Sequence, residues 1–153
     1  MHKSETKNTV EFISLNAGGQ GFCIEIKSIR EIRRWNSVTP LPNSPTSVLG
    51  VMNLRGAVIP IVDLSARLGL SQATVGARSV VVVAAIGNRV MGLLVEAVSE
   101  ILSVSAEAIQ PNPTQGSDSS TNQITGLLSI EDTMLRVLNL DDLFTGTSEA
   151  ETA

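Results

Sequence analysis

Short runs of aliphatic and β-branched residues recur along the chain between Gly, Pro, Asn and Ser, the pattern of an all-β sandwich or barrel. They predict strands at Val10–Leu15, Gly21–Ile26, Val51–Arg55, Ala57–Leu64, Ser79–Ile86, Val90–Val95, Ile124–Ile130 and Met134–Leu140. NAGGQG before Phe22 and IGNR before Val90 read as tight hairpins, because Gly and Asn supply the positive φ that such turns need. Short helical turns fit DLSARLGL and LDDLF, the first closed by Gly69. Pro60 cannot donate to a β ladder, so its strand is expected to carry it at an edge or a bulge. The run from Gln110 to Gln123 has no apolar residue and reads as a mobile surface loop. Residues 1–8 and 146–153 read as disordered tails.

The chain also repeats itself, which defines its structural unit. FCIEIKSIREI, from Phe22, overlays MGLLVEAVSEI, from Met91, so that Ile29 falls on Val98, Glu31 on Glu100 and Ile32 on Ile101. GVMNLRGAVIPIVDL, from Gly50, overlays GLLSIEDTMLRVLNL, from Gly126. The expected unit is a single domain over residues 9–145, made of two barrel halves at about 9–70 and 79–145. Each half is small for a core of its own, so the two should share a hydrophobic seam. Where the first copy turns through Asn53, Leu54, Arg55 and Gly56, the second has Ser129, Ile130, Glu131 and Asp132. The turn therefore does not demand arginine, while the apolar flank Val58–Val62 is expected in the core.

Composition narrows the function. With 153 residues, 42% hydrophobic content and a net charge of −4, the chain can bury a core but has no Lys/Arg block suited to nucleic acid. The one cysteine, Cys23, lies in an apolar stretch and reads as a small buried hydrophobe of a reducing compartment. The polar N-terminus lacks a signal-peptide core, and VVVVAAI is too short to span a bilayer. A cytoplasmic protein without membrane insertion is expected.

Catalytic chemistry fails on inventory. The single histidine, His2, lies in the polar start, there is no tyrosine, and Cys23 has no histidine in a folded segment to activate it. GGQG at Gly18–Gly21 lies between strands and reads as a hairpin rather than a phosphate cradle. Asp141 and Asp142 read as capping and solvated charge, and Glu131 and Asp132 as a polar hairpin tip. The expectation is a non-enzymatic interaction module with no cofactor and no metal site.

The stretch EIRRWNSVTPLPNSPTSVLGVMNLRGAVIPIVDLSARLGL, Glu31–Leu70, resembles the signature region of the CheW-like family of bacterial chemotaxis coupling proteins. NRVMGLLVEAVSEILSVSAEAIQP and TGLLSIEDTMLRVLNLDDLF resemble its second half. The resemblance implies two small five-stranded Src-homology-3-like β-barrels packed on a shared seam. It also implies an adaptor tying the regulatory domain of a CheA-type histidine kinase to the cytoplasmic hairpin tips of chemoreceptors, recruited to membrane-associated arrays. Carried over residue by residue, the coupling region would include Ile29, Glu31, Gly50, Asn53, Arg55, Gly56 and Val98.

Each of these has a competing structural role. Ile29 and Val98 suit either a core or an apolar groove that accepts a helix. Gly50 shares its place with Gly126, which points to a common backbone constraint. Arg55 favours a bidentate contact to a partner carboxylate, and Trp35, the only tryptophan, suits either an interface hot spot or half-buried packing. Two other readings stay open: the equivalent adaptor of a twitching-motility or other chemosensory pathway, and a small-ligand-binding barrel sensor. Thermal shift against metabolites separates the sensor from the adaptor.

Overall fold

The computed structural model describes residues 8–73, 75–113 and 123–144, and the expected tails, apart from Asn8, and most of the polar loop after Pro113 lie outside them. The strands in chain order are β1 (Thr9–Ala17), β2 (Gln20–Glu25), β3 (Ile29–Arg34), β4 (Val48–Leu54), β5 (Ala57–Asp63), β6 (Val80–Ile86), β7 (Arg89–Val95), β8 (Ala97–Ser105), β9 (Gln110–Pro111), β10 (Ile124–Ile130) and β11 (Thr133–Leu138). Helix α1 spans Leu64–Arg67 and helix α2 residues 140–144. The sheets run β8-β1-β2-β11-β10-β9 and β3-β6-β7-β5-β4, forming two Src-homology-3-like barrels.

The duplication extends to register. Exchanging β1, β2, β3, β4 and β5 for β6, β7, β8, β10 and β11 converts one strand order into the other. The parallel pairs Cys23↔Val137 and Gly92↔Ile61 are repeat-equivalent. So are the bulges between Val48 and Gly50 and between Ile124 and Gly126. The sequence halves are nevertheless not the two barrels. Each barrel takes a hairpin from one half and its flanking strands from the other, so residues 9–70 and 79–145 are interlaced.

This interlacing produces three apolar clusters. Phe12, Cys23, Leu128 and Val137 fill one barrel, and Ile59, Ile61, Val81 and Val83 fill the other. Leu15, Ile24, Val62, Leu64, Val82, Leu93 and Phe144 form the shared seam, with residues from both sheets and both short helices. Alternation explains the division, since successive strand residues face opposite sides: Val81 and Val83 enter a barrel, while Val82 enters the seam.

Several local features follow from particular residues. Gly18 and Gly19 hold φ of 60° and 75° in the β1–β2 turn, and Gly19 N–H donates to Glu96 Oε1 at 3.2 Å, so the loop is a hairpin. Asp63 caps α1, its carboxylate accepting from Ala66 N–H. Its repeat-equivalent Asn139 caps α2 in a reciprocal pair with Asp142.

Four expectations need correction. Edge strands β3 and β8 carry too many exposed residues for the alternation to reveal them. Gln110 and Pro111 form β9 against β10, because backbone pairing requires no apolar side chain. Val58 is 65% exposed and Pro60 half-buried, so only part of Val58–Val62 enters the core. Finally, β5 is an interior strand, yet Pro60 escapes the ladder. Val51 gives both backbone groups to Thr39, so Pro60 faces it without a hydrogen bond, and the β7 pairing begins only at Ile61.

Candidate functional site

The turn between β4 and β5 carries the densest group of candidate residues. Arg55 and Gly56 have φ of 54° and 89°, positive at both central positions, which matches the twist of a two-residue hairpin. Asn53 Oδ1 accepts from Gly56 N–H at 3.0 Å and closes the turn locally. Its counterpart holds Glu131 and Asp132 at φ of 46° and 70°, so the same geometry forms without arginine.

From this turn Arg55 reaches across to β3. Its Nη1 lies 2.6 Å from Glu31 Oε2 and its Nη2 3.2 Å from Glu31 Oε1, a bidentate ion pair. Arg33 Nη1 donates to Glu31 Oε1 at 3.4 Å. The two Arg55 hydrogen bonds and charge hold the Glu31 carboxyl below the usual carboxylate range, with a smaller contribution from Arg33. Glu31 likewise raises the pKa of Arg55. The Arg55 side chain is 71% exposed and that of Glu31 23%, so the pair is presented at the surface. The copies differ here, because Glu100 and Glu131 replace Glu31 and Arg55 and no such pair is possible.

Gly50 belongs to the backbone framework. A Cβ there would lie 2.3 Å from the Thr39 carbonyl oxygen, at φ +152°, where the chain entering β4 crosses beneath Thr39 and Pro40. A Cβ at Gly126 would meet Gln110 O at 2.9 Å, the same close approach in the other barrel. Trp35 packs against the core of its barrel with Val38, Leu49 and Met52, and its backbone N–H donates to Ser79 O. Ile29 and Val98 are partly buried against the shared seam, but on different sheets, opposite Ala84 and Leu15. Thus Glu31, Asn53, Arg55 and Gly56 form one surface feature, while Ile29 and Val98 are repeat-equivalent seam positions. Arg33 was missed as a member of the ion cluster; its spacing two residues after Glu31 on a strand was the available signal.

Among the described residues no group of three or more His, Cys, Asp or Glu side chains could hold a metal, and no helix is long and apolar enough to cross a membrane. Cys23 is buried, and desolvation pushes its thiol up to about 12. What the surface offers is a two-barrel body with a charged turn.

A family model described as CheW-like domain matches residues 11–148. The chain belongs to the CheW-like family. It is 49% identical over 142 residues to the chemotaxis protein CheW of Rhizobium meliloti (strain 1021), covering 93% of this chain and 92% of that protein. To the probable chemotaxis protein CheW of Rhizobium etli it is 47% identical, covering 99% and 97%. The scaffolding protein TtCheW from Thermoanaerobacter tengcongensis superposes with a TM-score of 0.80 at 26% identity, over 88% of this chain and 92% of that one.

Proposed function

We propose that the chain is a non-catalytic chemotaxis adaptor, joining the regulatory domain of a CheA-type histidine kinase to the cytoplasmic hairpin tips of chemoreceptors. The observation that carries this reading is the end-to-end similarity to relatives named chemotaxis protein CheW. That similarity also weighs against a ligand-sensing barrel. The adaptor works in the cytoplasm at receptor arrays attached to the membrane.

The surface supports a connector. Ile32 and Ile101 are repeat-equivalent and both exposed, as are Val58 and Met134. Each barrel therefore offers an apolar contact, but with different surroundings, and a module with two unlike ends can join partners into closed rings. Ile29 and Val98 border the seam, where a receptor helix would lay an apolar face. The exposed Glu31–Arg55 pair supplies the coupling contact, exchanging a carboxylate of its own for one on a partner.

Direct binding tests the reading. The purified chain should retain the kinase's regulatory domain in a pull-down at concentrations up to tens of micromolar. No association in that range counts against the adaptor.

A further inference from the structure

We propose that β3 is a docking strip for an extended acidic segment of a protein partner, a function beyond the Glu31–Arg55 contact. Strand β3 stands at the end of its sheet and is hydrogen-bonded to β6 alone. It reads IREIRR and continues into Trp35, so one edge of an acidic protein carries Arg30, Arg33 and Arg34 in succession.

The cations lie on both sides of the strand. Arg33 is opposite Val81, a barrel-core residue, and points to the same face as its partner Glu31. Arg34 is opposite Val80, which packs on the seam, and therefore points to the other face. Arg30 is the extra residue of the bulge between Ile29 and Glu31. Arg34 and Trp35 also line an open cleft of about 350 Å³ with Gly76, Ala77, Arg78 and Ser79. None of the three salt bridges among the described residues uses Arg30, Arg34 or Arg78.

The duplication provides an internal control. Strand β8 occupies the same place in the other barrel, and the positions of Arg30, Arg33, Arg34 and Trp35 are held there by Ser99, Leu102, Ser103 and Val104. The edge thus folds without any of these cations, while Trp35 and its counterpart Val104 each pack on their own barrel core. Arg30 and Arg34, present in one copy and in no ion pair among the described residues, answer a requirement outside the fold, and their sign selects an acidic partner. An extended strand presents successive side chains to alternate faces, so its carboxylates can meet cations on both faces of β3, and its backbone can pair with the free edge. A flat anionic membrane would engage one face only.

The test uses the full chain and a fluorescein-labelled peptide of repeating Glu-Glu-Thr-Thr, which in an extended strand sets Glu on both faces, with a Gln-for-Glu analogue and phosphatidylglycerol vesicles as the other arms. Anisotropy should report binding of the Glu peptide that weakens as salt rises and is at least about tenfold tighter than that of the Gln analogue. R30S/R34S, which installs the residues of β8, should weaken it by about tenfold or more with an unchanged melting temperature. S99R/S103R should add a second site. Unchanged affinity in R30S/R34S, equal binding of the Gln peptide, or binding to vesicles without binding to the Glu peptide would overturn the proposal. Because no kinase or receptor is present, this outcome is separable from that of the adaptor reading.

Discussion

Arg55 grips Glu31 through two guanidinium nitrogens, from a backbone position with φ +54° that glycine or asparagine would occupy with less strain. The turn itself does not require this side chain, since the equivalent turn forms with Glu131 in its place. Replacing Arg55 with Asn should leave the melting temperature unchanged or slightly raised. Receptor-dependent kinase stimulation should fall by about tenfold or more, the scale of one lost charge-assisted contact. A steep fall in melting temperature would instead make Arg55 a structural residue.

The same pair sets a pH response. The folded Glu31 carboxyl has a lowered pKa, so its stabilising contribution is fully present above the unfolded carboxylate value and is lost as pH falls through the lower folded value. Carboxyl-resolved NMR titration should place Glu31 below the usual carboxylate range, and R55Q should move it upward. An unshifted titration in the native protein would contradict the ion pair.

Gly50 and Gly126 should respond unequally to alanine. At Gly50 the new Cβ meets a carbonyl oxygen at 2.3 Å in a positive-φ conformation, so G50A should cost about 3 kcal/mol or more. G126A meets Gln110 O at 2.9 Å, without the positive φ, and should cost less. Urea unfolding measures both, and equal losses would show that the backbone crossing at Thr39 is not the cause.

Most of this fold was legible because β-branched runs and Gly/Asn turns report local structure, and because the repeat aligned Ile29 with Val98 and Gly50 with Gly126. The interlacing was not legible. Periodicity states that Val82 alternates with Val81 and Val83, but not which half of the chain supplies the strand beside them. Strands β3 and β8 escaped because sheet edges tolerate polar residues on both faces. Of the candidate site, the turn chemistry around Asn53 and Gly56 could be read from residue types. The clasp between Arg55 and Glu31 could not, since it joins positions 24 residues apart through barrel closure.

Cys23 should be inert in the native state. Its thiol is pushed up to about 12, so the unfolded chain loses the proton near pH 9 while the folded chain keeps it. Stability attributable to Cys23 is therefore complete below about pH 9 and declines above it, by about 1.4 kcal/mol per pH unit. C23A should remove that part of the alkaline decline in urea unfolding. Rapid labelling of the native thiol at neutral pH would contradict its burial.

The central claim is that this chain couples receptor to kinase through its surface rather than by chemistry of its own. The most direct measurement is kinase autophosphorylation in a reconstituted mixture of receptor, CheA-type kinase and adaptor. The wild-type chain should raise the rate well above that of receptor and kinase alone. R55N, still folded, should restore only a small part of that increase. A wild-type chain that leaves the rate unchanged would contradict the account.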